Sequence, residues 1–576
     1  MTSTEPDKIR FLYDIRTPMR DGTELSADIY LPEVEGSHPT LLMRTCYDNT
    51  AERHLAFARY FAERGYAFVF QDVRGRGDSD GKFIPFVNEG KDGFDSIEWI
   101  AAQSWCNGKI GMLGGSYLGT AQWLAAKEQP PHLVTMVSAA AAGRWLQELP
   151  YMNGKILLDM LMWLDSVGGR TNQSVLQNPV MNGVLDWKAL LLHSPTVTAD
   201  EKIGRTNTVW REWISHRTFD EYWQKLSLEG CFSQLNLPVL HITGWYDGDQ
   251  PGALYYYNKM LAESPACDRQ YFLSGPWVHS GVWFPEKKLG GLDFGEVALH
   301  DVKAIHLHWF DHWLKGEQNG LLEEARAMLF IMGRNTWQEA PAFPLPDSQS
   351  LILYLNSNGN ANTYNGDGGL TGKAIVEQPA DEYIYNPADP TPSAKNYGFS
   401  DDEFYFDRQY AEERQDVLVY TSQPLEDEIV IAGIPEVILY ASSDTVDTDF
   451  AAVLTDVHPD GRSFFLADGI VRASYRESLV EPTLIQPGQV YAYKIELNAT
   501  ANCFFSGHRI RLEIMSCYFP KYERNPNTGD LPGEEKSYQP ARLKVFHNLK
   551  YPSQLVLTIN PASAQIEQAL EPGIQV

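Results

Sequence analysis

Apolar and polar positions alternate with strand spacing near the start of the chain. YDIRTPM and ELSADIYLP flank Arg20-Asp21-Gly22, and an Asp-Gly step between two such runs predicts a β-hairpin. PTLLMRTCY is a mostly apolar run of strand length that stops at Tyr47-Asp48-Asn49. Helical spacing then takes turns with short apolar runs. Residues 51–64, 92–103 and 117–127 read as helices, and 66–70, 109–113 and 133–140 as strands. Such alternation predicts βαβ units and a parallel sheet.

From about residue 143 to 236 no regular strand alternation is visible. Trp145, Trp163, Trp187, Trp210, Trp213 and Trp223 fall here among Leu and Met, which predicts a mainly helical insertion. The strand–helix pattern resumes with 238–243, 252–262 and 269–273. A last helix over 300–314 stops at Lys315-Gly316. Beyond Leu351 short strand-like runs and turn residues dominate, the pattern of an all-β sandwich or jelly roll. The expected division is a core at 1–143, a helical cap at 144–236, a return to the core at 237–350 and a β jelly-roll domain at 351–576.

Charge narrows the function classes. The 576 residues carry 47 Lys and Arg against 75 Asp and Glu, a net charge of -28. Nucleic-acid phosphates and anionic membrane surfaces repel such a chain, so neither is an expected partner. A neutral or cationic small molecule fits better. Six scattered cysteines form no CxxC pair, which points to reduced thiols. No signal-peptide core and no apolar run of ~18 residues is present, so the default expectation is a cytoplasmic protein without a membrane span.

The strongest chemical signal is Gly114-Gly115-Ser116-Tyr117-Leu118-Gly119, between an apolar strand and a helix. That is the setting of a nucleophile elbow, where a tight turn lifts a serine hydroxyl clear of the backbone at a helix N-terminus. The match to G-x-S-x-G is imperfect, because Leu118 stands where the second glycine belongs. A plain tight turn is the bland alternative. A nucleophilic serine needs a histidine base and a carboxylate to orient it. Asp247 and Asp249 follow one later strand and His279 follows the next, in the chain order Ser, acid, His of α/β-hydrolases. Each alone reads as a loop residue; three in order, each just after a strand, do not. Spacing leaves the choice between Asp247 and Asp249 open.

Two other motifs carry less. His308 and His312 stand at i, i+4 beside His306, but HExxH is absent, so a helix without metal is expected. Residues 71–81, QDVRGRGDSDG, fail the dinucleotide fingerprint at Asp80 and read as a structural turn with charge pairs. No cofactor and no metal are expected.

The ordered motifs RDGTELSADIYLP, RTCYD, DVRGRGDSDG, GGSYLG, GWYDG, GPWVHS, HWFDHWLKG, YTSQPL, DTVDTDFAAVLTDVHPDGRS and FSGHRIRLEI span nearly the whole chain. Together they resemble the cocaine esterase and X-prolyl dipeptidyl aminopeptidase family of α/β-hydrolases, whose relatives include α-amino-acid ester hydrolases and glutaryl cephalosporin acylases. The resemblance implies an α/β-hydrolase core with a helical cap and a C-terminal jelly roll. It also implies Ser116 as nucleophile, Asp247 as acid and His279 as base, with an oxyanion hole formed by the Tyr47 hydroxyl and the Tyr117 backbone N–H. The ester hydrolases of α-amino acids hold an ammonium with clustered carboxylates, two of them shortly after the acid. Asp249 matches one such place and Gln250 does not match the next, which leaves the cluster incomplete and favours the esterase branch.

The expected activity is therefore hydrolysis of a small carboxylic ester or amide through an acyl-enzyme, with Trp145 and Trp163 as candidate pocket walls or plain core. X-prolyl dipeptidyl aminopeptidase, α-amino-acid ester hydrolase and acyltransferase activities are the neighbouring alternatives. A carbohydrate-binding protein is the alternative from another class. Homo-oligomerisation is left open.

Overall fold

The computed structural model describes residues 9–47, 49, 52–170, 187–395 and 407–560. The predicted hairpin forms from β1 (Ile9–Pro18) and β2 (Glu24–Pro32), with Gly22 at φ 84° in its turn. Next come β3 (His38–Thr45), α1 (Glu52–Ala62), β4 (Ala67–Asp72), α2 (Glu89–Ala101), β5 (Cys106–Gly115), α3 (Tyr117–Lys127) and β6 (Leu133–Ala139). The strand expected at 109–113 runs longer at both ends, because Cys106 pairs with His38 and Gly115 with Ala139.

The insertion is mainly helical among the described residues. A two-stranded hairpin, β7 (Tyr151–Met152) and β8 (Lys155–Ile156), precedes α4 (Asp159–Ser166), α5 (Trp187–Leu191), α6 (Thr208–Ser215) and α7 (Glu221–Leu226). The part of the expected cap at 171–186 lies outside the described residues. The core returns with β9 (Val239–Tyr246), α8 (Gln250–Glu263) and β10 (Gln270–Val278). A small hairpin, β11 (Lys288–Leu289) and β12 (Leu292–Asp293), leads to α9 (Val302–Phe310), which continues as a π-turn to Lys315. Two further strands, β13 (Ala327–Ile331) and β14 (Thr336–Ala340), complete the sheet. The sequence pattern missed both.

The sheet runs β1-β2-β4-β3-β5-β6-β9-β10-β13-β14, ten strands among the described residues. From β4 to β13 neighbouring strands are parallel; the pairs β1–β2, β2–β4 and β13–β14 are antiparallel. The parallel strands are almost wholly buried, which is why they read as apolar runs without alternation. Parallel order also carries the loops after β3, β5, β9 and β10 to one edge, where open α/β sheets bind ligands.

Residues beyond Gln349 form a second, mixed sheet system that is mostly antiparallel, so the molecule is an α/β-hydrolase core with a helical cap and a separate β-rich domain. Alternating burial in strands such as Glu436–Ser443 and Ala541–Phe546 explains their legibility. The β domain is bolted to the core at the loop after β9. Gln250, fully buried, donates to the carbonyls of Gly244 and Ala499 and accepts the Ala499 N–H at 2.6 Å.

Candidate active site

Ser116 sits between β5 and α3 at φ 59°, ψ -130°, a backbone conformation that is strained for a residue with a side chain. The Ser116 N–H donates to the carbonyls of Ala139 and Ala140 at 3.0 and 2.9 Å, tying the turn to β6. Its hydroxyl does not fold back to cap α3. The displaced glycine of the motif has a steric cause. A Cβ at Gly119 would lie 2.8 Å from the Ala139 carbonyl oxygen and from the Ala141 Cβ, so close packing of α3 on β6 requires glycine at that place. Gly115 faces the Trp283 indole, which a Cβ there would meet at 2.7 Å.

Asp247 follows β9 and His279 follows β10. The His279 Nδ1 lies 2.8 Å from the Asp247 Oδ1. Asp247 is fully buried; its other oxygen accepts the Thr243 hydroxyl at 2.8 Å, and its Oδ1 also accepts the Asp249 N–H at 3.0 Å. These bonds hold the carboxylate in one orientation. Asp249 Oδ2 stands 3.9 Å from the same imidazole nitrogen, beyond hydrogen-bond distance. Of the two carboxylates left open by the sequence, Asp247 alone makes the hydrogen bond.

Asp249 has a different environment. It precedes α8 without capping it, so its carboxylate remains available. Burial raises its pKa to about 7, with Asp247 and Asp159 adding in the same direction and His279 opposing. Asp159, the first residue of α4, is exposed, and its charge is one of those that raise Asp249. Sequence reasoning missed Asp159 because it lies in the cap, ninety positions before Asp249. Glu148 is also buried close to Asp249, but three backbone N–H groups, of Gly143, Arg144 and Gly252, occupy its carboxylate at 2.7–3.0 Å.

Tyr47, just past β3, reaches the serine. Its hydroxyl accepts the Trp163 Nε1–H at 2.9 Å and lies beside the Ser116 side chain. Burial pushes its pKa well above the ordinary tyrosine range, so the phenol keeps its proton. With the indole filling an acceptor site on the oxygen, the O–H stays free to donate. Tyr117 offers its backbone N–H, which as the first residue of α3 has no intrahelical acceptor. The Tyr117 side chain points elsewhere, donating to Glu89 at 2.7 Å.

The two candidate pocket tryptophans part company. Trp163 is half-buried and held against Tyr47. Trp145 is buried in an aromatic cluster, 5.1 Å from Phe86 and 5.7 Å from Trp223, and so is core.

Residues 71–81 form the expected charge-paired turn, and that turn supports the site. Arg74 binds Asp92 and Asp21. Arg76, fully buried, donates to the carbonyls of Cys46 and Val167 at 2.8 Å each. It thereby clamps the residue before Tyr47 to the end of the helix that carries Trp163. The helix histidines have separate partners: His306 bonds the Val302 carbonyl, His308 pairs with Glu324, and His312 bonds the Glu317 carbonyl.

Comparison with known proteins bears on this geometry. Residues 21–281 match the family described as X-Pro dipeptidyl-peptidase (S15 family). Residues 319–556 match the X-Pro dipeptidyl-peptidase C-terminal non-catalytic domain. A cocaine esterase from Rhodococcus sp. (strain MB1 Bresler) is 35% identical over 573 residues, covering 95% of this chain and 98% of that protein. Among solved structures, an α-amino acid ester hydrolase superposes with a TM-score of 0.85 at 25% identity, covering 97% of this chain and 98% of the other. An aminopeptidase from a marine-sediment Thaumarchaeota archaeon superposes at 0.84 with 24% identity, over 97% and 98% of the two chains.

Proposed function

The chain belongs to the X-Pro dipeptidyl-peptidase (S15) family of serine hydrolases, and from that membership we propose that Ser116 attacks the carbonyl of a small ester or amide whose amine lies against Asp249 and Asp159. Hydrolysis of esters or amides is the activity of the group to which it belongs. His279 takes the serine proton and returns it to the leaving alcohol or amine. Asp247 holds the imidazole tautomer and stabilises the imidazolium that forms. The carbonyl oxygen gains charge as the tetrahedral intermediate forms, and the Tyr47 hydroxyl and the Tyr117 N–H are the donors for it. Water, activated by the same histidine, then releases the acid from the acyl-enzyme.

The observation that carries the substrate assignment is the Asp249 carboxylate, which does not cap α8, stands 3.9 Å from the His279 imidazole and has the Asp159 charge near it. A bound ammonium relieves the repulsion among these carboxylates. The net charge of -28 favours the approach of a cation. The cysteines are free thiols, which supports a reducing compartment.

The test compares an α-amino ester with the same ester lacking the amine. Asp249→Asn should raise KM for the amino ester about tenfold and leave the other unchanged. Because burial raises the Asp249 carboxyl to about 7 and an α-amino group loses its proton at about 7.7–8.0, the preference for the amino ester should be greatest between the two and fall at lower and at higher pH. Equal loss on both substrates would reject the ammonium assignment.

A further inference from the structure

A second cluster of metal-competent side chains lies in the β domain, away from the serine. Asp456 is on the strand Asp449–Val457, and His458 follows two residues later, on the same face of the extended chain. The neighbouring strand Arg509–Met515 is antiparallel, pairing Asp456 with Ile510 and Val457 with Arg509. Continuing that register sets His458 opposite His508, and the two imidazole centroids are 4.4 Å apart. The His508 Nδ1 lies 2.8 Å from the Asp456 Oδ1, and the His458 Nε2 lies 3.8 Å from the Asp456 Oδ2. All three residues offer a ligand atom within 4.8 Å of the others.

We propose that Asp456, His458 and His508 form a binding site for one divalent transition-metal ion of the zinc class. A zinc ion with bonds of about 2.0–2.1 Å in tetrahedral array needs ligand atoms about 3.3 Å apart, and one atom from each of the three residues already lies within 4.8 Å of the others, a gap that small side-chain rotations close. Two imidazoles and one carboxylate are a donor set suited to zinc, and three protein ligands leave one position for water.

The surroundings prepare these groups for the role. Asp456 is buried, and its Oδ2 accepts the Asn502 side-chain N–H at 3.3 Å, which fixes the carboxylate. Phe464 packs on His458 at 4.6 Å and Phe505 on His508 at 5.6 Å, fixing the ring planes. A tight turn sets the His458 backbone: its N–H donates to the Arg462 carbonyl and its carbonyl accepts the Gly461 N–H, both at 2.9 Å. The site adjoins the core through Phe465, whose carbonyl accepts the Tyr246 hydroxyl, one residue before Asp247.

Full-length protein stripped with a chelator and dialysed should take up one equivalent of Zn2+ at micromolar metal, read by metal analysis and by a rise in Tm. Co2+ in its place should give the visible absorption of a histidine-ligated ion. His458→Gln and His508→Gln should each weaken Zn2+ binding at least tenfold, with circular dichroism checking the fold. His458 is the more exposed of the two and is the variant to rely on if His508→Gln fails to fold. His279→Ala should leave uptake intact. Absence of uptake by the wild-type chain, uptake that survives His458→Gln, or uptake lost with His279→Ala would each overturn the proposal.

Discussion

Two Asp–His pairs in this molecule have the same contact, Nδ1 to Oδ1 at 2.8 Å, and opposite settings. Asp247–His279 lies at the carboxyl edge of the parallel sheet, and Asp456–His508 lies between antiparallel strands of the β domain. Around the first pair stand a serine in a strained turn, a phenol beside that serine, and a second carboxylate, Asp249, that does not cap its helix. Around the second stand another histidine, an asparagine and two phenylalanines. A carboxylate–imidazole bond therefore names no chemistry by itself. In the reading proposed above the third group decides: a hydroxyl at the first site serves as nucleophile, and an imidazole at the second completes a chelate.

Substitution of the two aspartates should separate the pairs most sharply. Asp247→Asn should lower kcat by about four orders of magnitude, because the amide no longer selects the tautomer with a free Nε2. Asp456→Asn should act on the unfolding free energy instead, by about 1.5–3 kcal/mol for a hydrogen bond to a charged group, read in a denaturant titration. A comparable collapse of kcat in both variants would dissolve the distinction.

Tyr47→Phe tests the phenol that sets the first pair apart. It removes one donor and little volume, so kcat should fall roughly 10²–10³-fold with KM nearly constant. A rise in KM at constant kcat would show ground-state binding instead. Trp163→Phe is the smallest change. It deletes the N–H that orients the Tyr47 hydroxyl, worth about 1 kcal/mol, and should lower kcat about fivefold. In a Tyr47→Phe background the same substitution should have no further effect on kcat, since the oxygen it serves is gone.

The sequence was most legible where local chemistry decides structure. The hairpin at Asp21-Gly22, the strand–turn–helix around Ser116 and the loops carrying Asp247 and His279 were all readable, because each is set by turn residues and periodicity within a dozen positions. The roles of Tyr47 and Tyr117 came from family resemblance, not from spacing. β13 escaped because AMLFI is short and buried almost throughout, and β14 because TWQEA is a short, mostly polar strand with only its last residue buried; neither has an alternation to read. Asp159 escaped because cap and core meet only in three dimensions, and Gln250, read as a gap in a carboxylate cluster, is a bolt between domains. His458 and His508 escaped for the same reason: fifty residues separate two rings that strand register makes neighbours.

The central claim, that Ser116 is made nucleophilic by His279 and Asp247, is met most directly by covalent labelling. Intact protein treated with a fluorophosphonate should gain one adduct, and peptide mapping should place it on Ser116. Ser116→Ala should take no label, and Asp247→Asn should label far more slowly than wild type. An adduct on another residue, or Asp247→Asn labelling at the wild-type rate, would contradict it.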